Sequence, residues 1–133
     1  MTAVTCFIDK TLPTAQYLPH PRGYGTFPRV FKQYVRDQHL LSVVEAVRKA
    51  SGQPAAIFQL GERGVLKPGY WADVVVFDPN TIEDKANYDK PFAEPIGLDY
   101  VIVNGTVAVD HGSLTSEKPA GMSVRKAKNS TLE

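Results

Sequence analysis

The sequence predicts an α+β domain in which about three helices are followed by a small, mostly antiparallel sheet. Apolar residues recur at helical spacing in the first half, whereas in the second half an apolar run precedes two alternating runs joined by Asn-Gly. The chain has 133 residues, 43% of them hydrophobic and 22% charged, which suits one compact globular unit. We therefore expect a single domain over residues 1–133.

The N-terminal residues 1–27 are predicted to form an irregular arm. They contain Pro13, Pro19 and Pro21 together with two glycines, and proline removes amide donors and interrupts helices.

Residues 28–60 are predicted to be helical. Apolar residues repeat at helical spacing from Pro28 to about Gln38. Ser42 and Glu45 have the spacing of a capping box, which predicts a second helix to about Ala50. Pro54 suits the first turn of a third, short helix.

Residues 61–125 are predicted to be rich in β-structure, and residues 126–133 to form a frayed tail. A short apolar strand is expected around Val75, buried on both faces. Two further strands, centred on Ile102 and Val107, are expected to form a hairpin. The dipeptide Asn104-Gly105 readily adopts the positive φ values of a two-residue turn. A second turn is expected at Asp110-His111-Gly112. The stretch from Asn80 to Pro95 is expected to be a long connection with one helical turn. The predicted core consists of Val30, Phe31, Val35, Val44, Val47, Ile57, Leu60, Val74, Val76, Val101, Val103 and Val107.

Composition limits the partners and the compartment. Fifteen Lys and Arg against fourteen Asp and Glu give a net charge of +1, too little for a nucleic-acid binder. Cys6 is the only cysteine and cannot form an internal disulfide, and no apolar run has the length of a membrane span or a secretory signal. We expect a cytoplasmic protein that binds neither nucleic acid nor membranes.

Two segments resemble a known family. Residues 64–78, Gly-Val-Leu-Lys-Pro-Gly-Tyr-Trp-Ala-Asp-Val-Val-Val-Phe-Asp, resemble the end of amidohydrolase-superfamily chains, where the last barrel helix returns into a small β-sandwich. Residues 20–29, His-Pro-Arg-Gly-Tyr-Gly-Thr-Phe-Pro-Arg, are similar to the stretch after the last barrel strand of D-aminoacylases, which deacylate N-acyl-D-amino acids. The resemblance covers residues 20–125. It implies that the domain is equivalent to the last barrel helix plus part of the β-sandwich.

The resemblance also implies which parts of the enzyme are missing. Members of the family hold zinc in a (β/α)₈ barrel through a His-x-His pair, further histidines, a Cys and an Asp. This sequence has no His-x-His pair, and His20, His39 and His111 fall in an arm, after a helix and in a turn. Asp9 precedes His20, as the family's aspartate does, but lacks the surrounding Ser-Asp-Gly pattern. We therefore expect no metal ligands, cofactor or catalytic residue in this chain, although the complete family enzyme uses zinc.

Arg22 and His20 are the candidate substrate-binding residues, and only if a barrel is supplied. In the family the Arg of His-Pro-Arg lies near the active site, and a guanidinium can bind a carboxylate through two parallel hydrogen bonds. For the isolated chain we favour the alternative that Arg22 bonds local carbonyls and that His20 is simply exposed. Asp73, at the start of a strand, is expected to accept hydrogen bonds from turn amides rather than to act as a base.

These observations predict a truncated, D-aminoacylase-like C-terminal domain that is inactive alone. Two alternatives stay open. The chain is a subunit of a split amidohydrolase whose barrel comes from another chain, or it is a dimeric binding or assembly module that reuses the fold. Sheet edges and apolar faces left without their usual neighbours favour association. We therefore expect either a homodimer or a complex with a barrel-bearing partner.

Overall fold

The computed structural model describes residues 20–117. Three α-helices come first and four strands follow: α1 Arg22–Arg29, α2 Val43–Ala50, α3 Gly52–Ile57, β1 Val74–Phe77, β2 Leu98–Val103, β3 Thr106–Asp110 and β4 Ser113–Leu114. The strands form one antiparallel sheet in the order β1-β2-β3-β4. The predicted α+β class is therefore confirmed. None of the helices within residues 20–117 is long and apolar enough to cross a membrane.

Helix α1 begins at Arg22 rather than at Pro28, so the irregular arm predicted to reach residue 27 ends earlier. Pro21 occupies the N-cap position, where the absence of an amide N–H breaks no helical hydrogen bond. Pro28 lies inside the helix. Pro21 therefore marks the start of a helix instead of excluding one. Residues 1–19 of the predicted arm and the predicted tail lie outside the described residues.

The first helix continues past Arg29 without a break. Residues Val30–Asp37 form a π-helical segment, in which the Gln38 amide donates to the carbonyl of Gln33, five residues earlier, at 3.0 Å. His39 then adopts a left-handed conformation with φ of 51°, and this ends the helix.

Helix α2 begins with the predicted capping box. The Ser42 hydroxyl accepts a hydrogen bond from the Glu45 amide, and the Glu45 carboxylate accepts one from the Ser42 amide, both at 3.2 Å. This arrangement satisfies two of the amides that a helix start leaves free.

Two tight turns set the register of the sheet. Asn104 and Gly105 have φ values of 51° and 81°, which are typical of a type I′ turn and confirm the predicted hairpin of β2 and β3. His111 and Gly112 repeat this pattern at 44° and 76° and confirm the second predicted turn. That turn leads into the short strand β4, which the sequence analysis did not predict.

The core is small and contains residues from the π-helical segment, α2, the sheet and the loop between β1 and β2. Phe31, Ala46 and Ile82 form a buried cluster, and Phe31 also contacts Phe77 of β1 with 4.8 Å between ring centroids. Leu98 of β2 packs against the same cluster. The π-helical segment, α2, strands β1 and β2 and the loop that bears Ile82 therefore share one apolar centre.

Most of the predicted core is less buried than expected. Of the predicted core residues only Phe31 is buried. The relative solvent exposure is 77% for Val44, 40% for Val47, 65% for Ile57 and 42% for Val76. The predictions for these four residues were wrong, as was burial of β1 on both faces. All four lie outside the buried cluster of Phe31, Ala46 and Ile82. The remaining predicted core residues are half-buried: Val30, Val35, Leu60, Val74, Val101, Val103 and Val107.

Residues 78–97, called the connection below, are an ordered part of the fold. Ile82 and Ala86 retain only 2% and 4% of their exposure, and the Pro91 side chain is fully buried. The amides of Glu83 and Ile96 each donate to the other's carbonyl, at 3.1 and 3.0 Å. The chain makes one turn over residues 78–82, where the Ile82 amide donates to the Asp78 carbonyl at 2.9 Å, so the predicted turn begins before Asn80. The chain then packs against the first helix.

Three cations on the first helix hold the connection in place. The Arg29 guanidinium donates from Nε to Asp84 Oδ2 at 2.8 Å, and Lys32 Nζ donates to Glu83 Oε1 at 2.9 Å. Arg36 Nη1 lies 2.9 Å from the carbonyl oxygen of Asn80 and 3.0 Å from that of Ile82. We call Arg29, Lys32 and Arg36 the cationic row. Their spacing of three and four residues puts them on one helix face.

We predict that Arg36→Met lowers the free energy of unfolding by about 1–2 kcal/mol, because methionine keeps an apolar stem but removes the donor to three carbonyls, those of Pro79, Asn80 and Ile82. Chemical denaturation followed by circular dichroism measures the change. Arg48→Met is the matched control, since Arg48 makes one exposed hydrogen bond, to Gln53 at 3.2 Å. Equal stability of the two variants would contradict the role of Arg36.

Candidate functional site

The two candidate substrate-binding residues lie together at the start of α1. The backbone amide of Arg22 donates to Nδ1 of His20 at 3.1 Å, and the carbonyl of Arg22 accepts a hydrogen bond from the Thr26 hydroxyl at 2.6 Å. Both candidate side chains are exposed. The local fold therefore fixes the Arg22 backbone and leaves its side chain at the surface.

Arg22 differs from the other arginines that the structure describes. Arg29, Arg36, Arg48 and Arg63 each donate to a carboxylate, carbonyl or amide oxygen. Within residues 20–117 no group accepts a hydrogen bond from the Arg22 guanidinium. No carbonyl within residues 20–117 thus plays the role expected for a structural arginine.

Tyr88 joins this site from the connection. Its hydroxyl oxygen lies 3.1 Å from Nε2 of His20, and the two rings meet edge to face with 5.3 Å between centroids. Tyr88 was not among the predicted site residues, because it lies 68 residues from His20 and no spacing pattern links the two. Only the docking of the connection on the first helix brings them together.

The neighbouring surface is a shallow groove of about 440 Å³, lined by Arg29, Lys32, Gln33, Asp37, Glu83, Asp84, Lys85, Ala86 and Asn87. Its main charges pair with one another. Hydrogen bonds from Lys32 and Lys85 lower the pKa of Glu83 below its usual value, and the hydrogen bond to Glu83 raises the pKa of Lys32. This groove stabilises the fold and presents no unpaired charge comparable to Arg22.

The other residues considered in the sequence lie elsewhere. His39 ends the first helix, and His111 bonds Tyr100 across the β2–β3 hairpin, with 2.8 Å from Nε2 to the hydroxyl. The Asp73 carboxylate forms an ion pair with Arg63 and accepts the amide hydrogen of Asn104 at 2.9 Å. The structural reading of Asp73 is therefore confirmed. Asp9 and Cys6 lie outside the described residues.

The described residues do not fit a zinc site. Within residues 20–117 no three His, Cys, Asp or Glu side chains lie close enough together to hold a metal ion. His20, His39 and His111 are held by separate elements. We therefore assign no metal-dependent step to this part of the chain.

The family of the chain follows from its similarity to known proteins. Residues 9–109 match the family model described as "Amidohydrolase family". Because the match covers most of the chain, the chain belongs to this family. The resemblance to D-aminoacylases noted in the sequence is confirmed by the relatives below.

An N-acyl-D-glutamate deacylase from Alcaligenes xylosoxydans xylosoxydans is 48% identical over 87 residues, which are 65% of this chain and 18% of that protein. A D-aminoacylase from the same organism is 42% identical over 109 residues, 82% of this chain and 22% of that protein. The chain thus spans about a fifth of the length of these relatives.

A solved structure is similar over most of the described fold. It is an N-acyl-D-glutamate deacylase from Bordetella bronchiseptica complexed with zinc and a phosphonate mimic of the tetrahedral intermediate. The TM-score is 0.68 and the identity 42%, and the match covers 81% of this chain and 21% of that protein.

We predict that part of the stability of the chain is lost in acid through Glu83. Its pKa is lowered from the ordinary 4.5 in the folded state, so the folded form binds fewer protons than the unfolded form. The stabilisation that Glu83 contributes is complete at pH values above its pKa in the unfolded chain. It is lost as the pH falls through the lower pKa of Glu83 in the folded chain.

Denaturation midpoints between about pH 6 and pH 3 measure this effect. Glu83→Gln should flatten the acid slope, whereas Glu62→Gln should not, since Glu62 forms no ion pair within residues 20–117. Identical slopes for wild type and Glu83→Gln would contradict the prediction.

Proposed function

We propose that the chain is the C-terminal part of an N-acyl-D-amino-acid deacylase and is inactive until a barrel-bearing chain binds it. In that complex Arg22, supported by His20, binds a carboxylate of the substrate. The single observation that carries this proposal is the exposed Arg22 guanidinium, which has no acceptor within residues 20–117. The deacylase relatives supply the reaction class.

The chemistry of Arg22 suits an N-acyl-amino acid. Every such substrate carries an α-carboxylate, and an acidic substrate such as N-acyl-D-glutamate carries a second one. A guanidinium binds a carboxylate with two parallel charge-assisted hydrogen bonds, which fix both its position and its orientation. Arg22 would thus hold the substrate, while cleavage of the amide requires groups supplied by the barrel. Zinc, where it is bound, would belong to that barrel.

Exposed apolar residues provide a surface for a partner. Ile57 and Phe58 at the end of α3 retain 65% and 62% of their exposure, and Val65 and Leu66 in the following loop retain 54% and 78%. Clustered exposed apolar side chains are typical of interaction sites. The relatives are about five times longer than the region that they share with this chain, so they contain ample chain to cover such a surface.

We also propose a cytoplasmic location, which is supported by the presence of a single cysteine, Cys6.

We predict that the chain restores deacylase activity to a barrel that lacks the corresponding segment. The Alcaligenes N-acyl-D-glutamate deacylase, shortened by the region that this chain matches, is co-expressed with the chain, and release of D-glutamate from N-acetyl-D-glutamate is measured. Activity is expected only when both are present. In the complex, Arg22→Ala should raise KM by roughly 10- to 100-fold, because one bidentate charged interaction is lost.

Arg48→Ala is the matched control, since Arg48 is an exposed arginine on α2, and this variant should leave KM unchanged. Restored activity that is indifferent to Arg22→Ala would contradict the role of Arg22. Co-purification of the two chains without activity would contradict the split enzyme.

A dimeric binding module is the second candidate, and the same exposed apolar residues support it. A two-fold axis would allow one surface to cover its own copy. Light scattering of the purified chain at tens of micromolar, the range where weak interfaces form, tests this candidate. A dimer that stays intact when the shortened deacylase is added supports the dimeric binding module. A chain that remains monomeric argues against it.

A further inference from the structure

The hydrogen bonds around His20 determine which of its nitrogens carries the proton. The backbone amide of Arg22 can only donate, so Nδ1, at 3.1 Å from it, must accept and cannot be protonated. In the neutral ring the proton is then on Nε2, which donates to the Tyr88 hydroxyl oxygen 3.1 Å away. A continuous path of hydrogen bonds therefore runs from Tyr88 through His20 to the backbone of Arg22.

The position of Tyr88 is fixed by the turn that bears it. The side-chain oxygen of Asn87 accepts the amide hydrogens of Asp89 and Lys90 at 3.0 and 2.7 Å, and this closes the backbone around Tyr88. The side chain of Pro91, which follows Lys90, is fully buried. The Tyr88 side chain itself remains 72% exposed, so an anchored backbone presents an exposed phenol to His20.

We propose that Tyr88 is a positioning residue of the Arg22 carboxylate site. The Tyr88 hydroxyl fixes the orientation of the His20 ring through a hydrogen bond, and the ring accepts a hydrogen bond from the Arg22 amide at the start of α1. These two bonds restrict the backbone position from which the Arg22 side chain extends. A long, flexible side chain binds an anion better when its anchor is held, because less conformational freedom is lost on binding. This inference rests on the proposed function, since it assumes that Arg22 binds a carboxylate.

A matched pair elsewhere in the chain provides a control. Tyr100 and His111 also form a tyrosine–histidine hydrogen bond, at 2.8 Å to Nε2, with ring centroids 5.0 Å apart. Tyr100 lies on β2 and His111 in the turn after β3, so both are on separate elements from Arg22. Loss of the Tyr100 hydroxyl thus removes the same kind of bond and leaves the proposed site intact.

The test uses NMR spectroscopy of the whole chain with N-acetyl-D-glutamate as the probe. Long-range ¹H–¹⁵N spectra report the tautomer of His20, and the Nε signal of Arg22 reports binding. The expected wild-type result is a His20 ring protonated on Nε2 and saturable binding at Arg22. Tyr88→Phe keeps the aromatic ring and removes the hydroxyl. It should weaken binding about five- to tenfold and perturb the Nε2–H signal of His20, whereas Tyr100→Phe should do neither.

Two further variants separate the bonds of His20. Asparagine places an oxygen near the position of Nδ1 and retains the bond to the Arg22 amide, whereas glutamine places an N–H group near the position of Nε2 and retains the bond to Tyr88. If both bonds are needed, His20→Asn and His20→Gln each bind the probe more weakly than the wild type. If His20→Asn binds as tightly as the wild type, the Tyr88 bond is unnecessary and the inference is wrong.

The outcomes also distinguish this inference from the function on which it rests. Binding that is lost in Arg22→Ala but unchanged in Tyr88→Phe overturns the inference and leaves the function standing. Probe binding that is absent in the wild type, or indifferent to Arg22→Ala, overturns the inference, whereas the function is tested separately by the activity that the chain restores to the shortened deacylase. Thermal melts of all variants test whether unfolding causes a loss of probe binding. Unfolding is not expected in Tyr88→Phe, because the Tyr88 side chain is exposed.

Discussion

The contact between one face of the first helix and the connection determines the arrangement of everything else in the described chain. Arg29, Lys32 and Arg36 donate to two carboxylates and to backbone carbonyls of residues 79–82. Beneath them Ile82 packs into the cluster with Phe31. The described core contains few fully buried apolar side chains, so hydrophobic burial alone provides limited stabilisation. Polar contacts between the cationic row and the connection therefore add to this stabilisation, chiefly through Arg36, which donates to three backbone carbonyls.

The same contact builds the candidate site. His20 and Arg22 lie at the start of the first helix, and Tyr88 lies in the connection, so their proximity requires the two segments to be docked. Asp84 of the connection lies close to the first helix. A β-carbon added to Gly25 would be 2.9 Å from the Cβ of Asp84, and the Asp84 side chain is only 7% exposed. A glycine is needed at position 25 because the connection crosses the helix there. Fold and site therefore depend on one interface.

Local rules explain the parts that the sequence predicted correctly. Asn104-Gly105 and the capping box of Ser42 and Glu45 act within a few residues, and their geometry follows from φ preferences and amide satisfaction. The start of α1 was misplaced because Pro21 was read as a helix breaker, whereas a proline at a helix start costs nothing.

Non-local features could not be predicted. Residues 80–95 contain no periodic pattern, yet Ile82, Ala86 and Pro91 are buried, because acceptors on the connection meet donors on a helix about fifty residues away. Apolar spacing placed Val44 and Ile57 in the core, but periodicity identifies an apolar face without showing what covers it. Of the candidate site, His20 and Arg22 came from a family motif, and Tyr88 came only from the fold.

We expect the cationic row and the buried part of the connection to join helices and sheet into one cooperative unit. Native-state hydrogen exchange across a denaturant series measures this cooperativity. Amides in Val30–Asp37 and amides in β2 should exchange with the same opening free energy and the same dependence on denaturant. If the helical amides open at a clearly lower free energy while β2 stays protected, the helices and the sheet are separate units.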